Sequence, residues 1–573
     1  MIFVYAFQEF KKQVTSALET AISASIEENS LSVPTKQEFG NLSCSVAFQI
    51  AKKEGKIPVD VAKEIVGKIE LSDLISEVKA TGPHINFFYN KDRFAVRVLK
   101  EATSPGYGKS SIGQGKTAIV EFSSINIGKP LGIHHLRSTI IGNSIYNLHK
   151  YAGYNTIGIN HLGDIGDIFG KLITAFIEWG NAKALEEKPI DHLLDLYLKF
   201  NESKETDEAL EDKARKWNKK LQEQDAEALG IWEKFRSLSL AYVKRTYERL
   251  NVHFDSFKGE AYYVMNGLDK RAAQDLLGKG VATEEQDSTV IVKLEDFGMP
   301  NARLIRPDDT SIYLARDIAA AIDRYNEYKF DKNIYVVANQ QELHFRQLFK
   351  ILELTGLEWF NRCVHVKFGF MRSPEGTFAT RKGNIIRLDD VLDAAIEQAK
   401  KVVEEKNPKL PQDEKEKIAD TVGIGAVIFN DLSQNRTRDI VFDIKKAVSF
   451  EGDTGPYLQY AHARCNQILE KAGKSNIGNE DIAVTKPEEV AMISALAEFP
   501  GLIEKACESY DSYLIAQYLL DLTHKFNVFY ENCPVIKAET ENAKVTRLGV
   551  VTATKTTIAI GLMLLGINAL DRM

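Results

Sequence analysis

The sequence predicts an α/β and all-α multidomain protein. A doubly wound parallel-sheet domain at residues 111–390 follows an α+β domain at 1–110 and precedes an all-helical domain at 391–573. Three observations predict it. First, 573 residues exceed what one hydrophobic core supports. Second, Thr117 to Asp164 reads strand, polar loop, helix, strand, the opening of a doubly wound sheet whose ligand crevice lies at the carboxyl ends of the strands. Third, the chain beyond residue 390 shows helical spacing with no convincing two-residue alternation.

The elements follow in chain order. Phe10, Val14, Leu18 and Ile22 recur every fourth residue and predict an amphipathic helix. A polar turn at "PTKQEFGN", a helix through "VAFQIAKKEG" and a strand at "HINFFYN" complete the first domain. Ser104 to Lys116 is rich in Gly and Ser and reads as a linker. "TAIVEFSS" predicts a strand; Leu136, Ile140, Ile141, Ser144, Ile145 and Leu148 then predict a helix, and "NTIGINHLGD" a second strand. Residues 165–255 read as a charged helical insertion whose basic and acidic run is a solvated face. Strand signals at "STVIVKLED", "KNIYVVANQQ" and "HVKFGFM" predict that the parallel unit then resumes.

Composition narrows the class. Apolar content of 44% with mixed charge describes a globular chain, and a net charge of −7 neither favours nor excludes nucleic acid. No apolar run reaches the roughly 18 residues of a membrane span, and the amino terminus lacks the basic leader of a signal peptide. Five scattered cysteines without a C-x-x-C pair predict neither disulfides nor a zinc ribbon, and so a reducing compartment, most simply the cytosol.

Six stretches could carry chemistry. In "KPLGIHHLRST" a lysine, a glycine and two imidazoles stand at a helix start, where free N–H groups favour anions; a plain capped helix start with solvated histidines fits the spacing equally. "SPEGTFATRKGNIIRLDD" carries Arg381 and Lys382 in a Gly-flanked loop that could close over phosphates, or form an ordinary surface hairpin. In "TSIYLARDIAAAI", Tyr313 and Asp317 share a helix face, which suits a guanidinium-like cation, though an intrahelical ion pair of Asp317 fits as well. The amide-rich turn Asn339, Gln340, Gln341 with His344 ends a strand. "SQNRTRDIVFD" and "GDTGPYLQYAHARCNQIL" bring Arg436, Arg438, Tyr457, Tyr460, His462 and Arg464 into helices, a pattern that suits stacking on unpaired bases or plain helix packing.

Taken together, "EFSSINIGKPLGIHHLRSTIIGNS", "NHLGDIGD", "IYLARDIAAAIDRY", "VVANQQELHF", "FATRKG", "GDTGPYLQYAHAR" and the final "LDRM" resemble the class I arginyl-tRNA synthetases, in order and across the whole chain. The resemblance implies an amino-terminal domain against the tRNA elbow, a Rossmann-type catalytic domain and a helical anticodon-binding domain. It implies activation of L-arginine with ATP and Mg²⁺, the metal carried with ATP rather than by a protein cluster, and transfer of the arginyl group to the terminal adenosine of tRNA(Arg). It implies no membrane and a monomeric cytoplasmic enzyme of protein synthesis. Matched by position, Lys129, His135, Arg381 and Lys382 are its catalytic residues. Gly132, His134, His135, Gly163, Asp164, His344 and Thr380 fall at ATP positions. Glu121, Asn126, His161, Tyr313, Asp317 and Gln341 fall at arginine positions, and Asn86, Tyr457, Tyr460, Arg464 and Met573 at tRNA positions.

The chain departs from the family pattern at the first signature, G-I-H-H where H-x-G-H is usual, so that Gly132 stands for a histidine and His134 for a glycine. Ile125 replaces the usual proline, and "GDIGDIFG" a tryptophan-containing stretch. Losing one transition-state contact costs about 2–4 kcal/mol, which slows a reaction without abolishing it. Two alternatives follow: a weakened paralogue that binds tRNA or arginine without efficient charging, and a ligase that hands activated arginine to another acceptor.

Overall fold

The computed structural model describes residues 4–34, 36–373, 376–377, 386–449, 452–473 and 482–573. The amino-terminal helix Ala6–Ile22 buries Phe10, Val14 and Leu18 completely, as its spacing requires. It packs on a four-stranded antiparallel sheet, in the order Leu31–Ser32, Leu42–Cys44, His84–Tyr89, Ile75–Thr81. The stretch Ser104–Lys116 is not a loose tether. The Tyr107 hydroxyl donates to the carbonyl of Leu496 at 2.5 Å, and a β-carbon at Gly108 would lie 2.7 Å from Ile503. This segment is clamped against the helical domain because its aromatic ring and glycine let two backbones approach.

The central sheet is parallel throughout, in the order Cys363–Phe368, Lys332–Ala338, Thr117–Glu121, Asn155–Ile159. The helix Leu136–Tyr151 crosses between the last two strands and buries nearly all of its surface, polar residues included. Two sequence expectations change here. "STVIVKLED" does not rejoin the parallel sheet; Val290–Val292 belongs to a separate antiparallel sheet with Thr283–Glu284 and Ala302–Ile305. Alternation predicts a strand but not its partner, which is a long-range choice. The helical insertion is otherwise as read, from Asp167–Trp179 to Ala226–Arg249, and its charged run forms the helix Ala209–Gln222 with only Leu210, Ala214, Asn218 and Leu221 buried.

Among the described residues beyond 390, helices joined by loops are interrupted by one short strand. Residues 433–439 form a turn into the short strand Ile440–Val441, which pairs in parallel with Met371–Ser373; Arg436 and Arg438 are therefore not helical. The helix Glu541–Leu564 is long and apolar enough to cross a membrane by length and composition alone, but 67% of its apolar window is buried inside the protein. Its Arg547 is fully buried and bonds Glu489 at 2.7 Å.

Candidate active site

The strand Thr117–Glu121 ends in a turn in which Ser123 and Ser124 both adopt positive φ, 67° and 42°, an uncommon conformation for serine. Three neighbours hold it. Ser123 N–H donates to Ser138 Oγ at 2.9 Å, and Ser123 Oγ lies 2.8 Å from Thr139 Oγ1 and 2.7 Å from the Tyr247 hydroxyl. The turn delivers Asn126 to an exposed position at the crevice, backed by Gly163, where a β-carbon would fall 1.9 Å from the Asn126 side-chain oxygen. Gly163 thus admits Asn126 and supports it.

Gly132 and His135 close the next turn. The Gly132 N–H donates to His135 Nδ1 at 3.1 Å, which leaves Nε2 as the ring's donor. Burial lowers the His135 pKa to about 3, so the ring is neutral near pH 7. The His134 ring lies beside it, centroids 3.9 Å apart, and His134 itself is exposed. No side chain caps the helix Leu136–Tyr151, and of the two histidines only His134 is exposed. Lys129 Nζ sits 3.6 Å from the ring centroid of Tyr197, on the inserted helix Pro189–Ser203.

The second basic stretch meets the first. Ile133 N–H donates to the Ile386 carbonyl at 3.0 Å, and Leu388 N–H to the Leu131 carbonyl at 2.8 Å. Arg387 pairs with Asp191 at 2.6 Å, on the helix that carries Tyr197. Thr380, Arg381 and Lys382 lie outside the described residues.

Asp317 stands on the helix Tyr313–Tyr328, as predicted, but its partners are not on that helix. His344 Nε2 is 2.6 Å from one carboxylate oxygen and His161 Nε2 3.5 Å from the other. Burial opposes its ionisation, yet the bonds and charges of the two histidines hold its pKa well below the usual carboxylate range. Tyr313 is 63% exposed, and Gln341 is exposed at the end of the neighbouring turn. A polar cavity of about 280 Å³ opens beside them, lined by Asn126, Lys129, Tyr197, Tyr313 and the ion pair of Arg316 with Glu260 at 2.6 Å.

Several predicted contact residues are engaged elsewhere. Glu121 is buried against Arg324 at 2.5 Å. Asp164 accepts from Arg236 at 3.0 Å and from the Ala261 N–H at 2.8 Å. Asn86 is 2% exposed and donates to Thr81 at 3.0 Å, and Met573 packs buried against Val403 and Ile418. In the free protein each of these four side chains is buried against protein partners. On the helical domain Tyr460 is 40% exposed and Tyr530 42% exposed, with the Arg464 guanidinium 5.0 Å and 5.5 Å from their rings. Tyr457 packs inward and accepts from Asn527 at 2.6 Å. Tyr530, Tyr197 and Arg324 escaped the sequence reading, because each meets its partner only through a contact distant in sequence. Among the described residues no group of three or more potential metal ligands occurs, so no protein ligand set is assigned to magnesium.

Comparison with known proteins places these features. Residues 100–444 match the model of tRNA synthetases class I (R), catalytic domain; 458–573 match the DALR anticodon binding domain; 8–89 match the arginyl tRNA synthetase N terminal domain. The catalytic model thus runs past the break at 390. The chain is 41% identical over 571 residues to an arginine–tRNA ligase of Halothermothrix orenii, covering 99% of this chain and 100% of that one. It is 41% identical over 570 residues to one of Clostridium beijerinckii, with the same coverage. The solved structure of Thermus thermophilus arginyl-tRNA synthetase superposes with a TM-score of 0.82 at 25% identity, covering 98% of this chain and 100% of that one.

Proposed function

The chain belongs to the class I arginyl-tRNA synthetases and is an arginine–tRNA ligase; on that premise we propose how its own residues divide the two steps. In the first, the carboxylate of arginine attacks the α-phosphate of ATP, giving arginyl-adenylate and pyrophosphate. In the second, a ribose hydroxyl of the terminal adenosine of tRNA(Arg) attacks the arginyl carbonyl and AMP leaves. A magnesium ion bound with ATP supplies charge neutralisation on the phosphates.

Asp317 receives the guanidinium, which takes over the carboxylate oxygens that His344 and His161 hold in the free protein. Tyr313 and Asn126 border the crevice that admits the rest of the amino acid, and Gln341 stands exposed at the end of the neighbouring strand. His135 donates from Nε2 to a phosphate oxygen, since its Nδ1 is committed to Gly132. Lys129 adds positive charge at the same turn. Such positioning and electrostatic stabilisation suffice for adenylyl transfer and call for no side-chain nucleophile. The face built by Tyr460, Arg464 and Tyr530 takes unpaired anticodon bases. The same reading makes the protein a cytoplasmic monomer, in keeping with five free, buried cysteines.

The single observation that carries the arginine reading is a partly buried carboxylate, Asp317, bracketed by two imidazoles at the carboxyl end of a parallel sheet. Nothing in the comparisons favours a weakened paralogue. Arginine-dependent ATP–pyrophosphate exchange, with and without tRNA(Arg), tests it. Exchange with tRNA present supports the reading; tRNA binding without exchange in either condition would favour the paralogue.

A further inference from the structure

Arg137 follows the two signature histidines by one residue and is 1% exposed. A buried guanidinium is costly unless every donor is met. Here the partners come from three separate segments. Its Nε donates to Asp431 Oδ2 at 2.9 Å, on the helix Gln412–Leu432. Its Nη1 reaches the carbonyls of Gly369 at 2.6 Å, Arg438 at 2.9 Å and Phe370 at 3.4 Å; its Nη2 reaches that of Arg436 at 3.3 Å. The planar fork suits this work, and a lysine could not span it. Residue 369 must be small, because a β-carbon there would lie 2.6 Å from the Arg438 backbone.

The location of these carbonyls matters. Gly369 and Phe370 lead into the strand Met371–Ser373, and the chain then continues to Arg381 and Lys382. Arg436 and Arg438 lead into its partner strand. Asp439 adds a surface grip, accepting from the Phe370 N–H at 2.8 Å and from Arg372 at 2.7 Å. On the far side of the basic stretch, residues 386–388 are already laddered to 131–133. The helix bearing Asp431 packs on the helix Gly455–Ala472, which carries Tyr460 and Arg464, so closely that a β-carbon at Gly455 would sit 2.8 Å from the Gly425 carbonyl.

We propose that Arg137 is a positioning residue for adenylate formation: from the helix that follows the signature histidines it fixes the entry to the strand Met371–Ser373 and the turn at residues 436–438, and ties both to the tRNA-facing helical domain through Asp431. This rests on the reading of the crevice as the adenylating centre. A packed apolar side chain would serve stability as well or better. The fork instead fixes one geometry among three segments, and displacement by about 1 Å in such a site can cost on the order of 100-fold in rate.

The test uses the full-length enzyme, pyrophosphate exchange at saturating arginine and tRNA, filter binding of tRNA, and thermal midpoints. Arg137→Lys keeps a cation beside Asp431 but loses the carbonyl fork. Its kcat is expected to fall by roughly tenfold or more, with arginine KM and tRNA Kd within about threefold of the parent. Asp439→Ala, at the surface, loosens the same strand and is expected to lower kcat severalfold without moving the midpoint. If folded Arg137→Lys and Asp439→Ala both keep kcat within about twofold, Arg137 is a structural residue only and the proposal is overturned. If Arg137→Lys does not fold, Asp439→Ala decides alone, a fall in kcat supporting the proposal and an unchanged kcat overturning it. A parent enzyme that shows no exchange overturns the adenylation reading and this inference with it.

Discussion

Nε2 of His344 lies 2.6 Å from Oδ2 of Asp317, on the opposite side of the carboxylate from His161. The carboxylate is thereby supplied with donors before any substrate arrives. A substrate guanidinium must take over those contacts, which makes arginine binding a competition with imidazole protons.

That competition sets a pH dependence. Burial would lower the pKa of His344, but its bond to Asp317 and the charges of Asp317, Glu121 and Glu260 together outweigh burial and raise the pKa above 6.5. A raised folded pKa means that the pair's contribution to stability is present at low pH and lost as pH rises through the folded value. Arginine gains what the pair loses. Arginine KM is therefore expected to fall as pH rises through the window just above 6.5, by at most about tenfold per pH unit for one proton. His344→Asn should flatten that profile; an unchanged slope in the mutant would remove His344 from the competition.

Asp317→Ala removes the guanidinium's counter-charge. Hydrogen bonds to charged groups contribute about 1.5–3 kcal/mol, so arginine KM should rise roughly 10- to 100-fold or more. Steady-state exchange over a range of arginine concentrations measures it, and an unaltered KM would exclude Asp317 from the arginine site.

Tyr197 holds Lys129 at 3.6 Å from its ring centroid. A cation–π contact contributes about 0.5–2 kcal/mol. Tyr197→Ala should lower kcat severalfold with arginine KM unchanged, whereas Tyr197→Phe should retain most of the rate. Equal losses in both would assign the effect to the hydroxyl rather than to the ring.

Glu121→Gln leaves the buried Arg324 guanidinium without its counter-ion. Breaking a buried pair from one side typically costs about 3–5 kcal/mol. The catalytic domain's thermal midpoint should fall clearly while tRNA affinity is retained. An unmoved midpoint would mean that the pair contributes little.

Tyr460→Ala and Tyr530→Ala should each raise tRNA KM, because stacking contributes about 1–3 kcal/mol per base. At saturating tRNA, kcat should stay near the parent value. A loss of kcat alone would place both residues outside the anticodon contact.

Much of this protein was legible without coordinates. The spacing of Phe10, Val14 and Leu18 fixed the buried face of the first helix, and that of Leu136, Ile140, Ile145 and Leu148 the helix beside the histidines. Tyr313 and Asp317 were correctly placed on one helix. The third-strand reading at "STVIVKLED" failed on partner choice, and the helical reading of 433–439 failed because a carbonyl-rich turn has no periodic signature. Glu121 and Asp164 stood out only through the family resemblance, and their partners Arg324 and Arg236 emerge only in the fold.

The sequence by itself determined the order of domains, the parallel-sheet opening, the faces of the major helices and the family to which the signature stretches belong. These depend on spacing within a few residues, where backbone geometry converts sequence directly into direction. Tertiary structure alone decided which charges meet. Arg137 and Asp431 are 294 positions apart, Glu121 and Arg324 203 apart, and Asp317 and His344 27 apart on different helices. No local pattern encodes such pairs: once burial excludes water, each charge must find whatever partner the fold brings near, and that partner determines whether a residue binds substrate or holds the site in place.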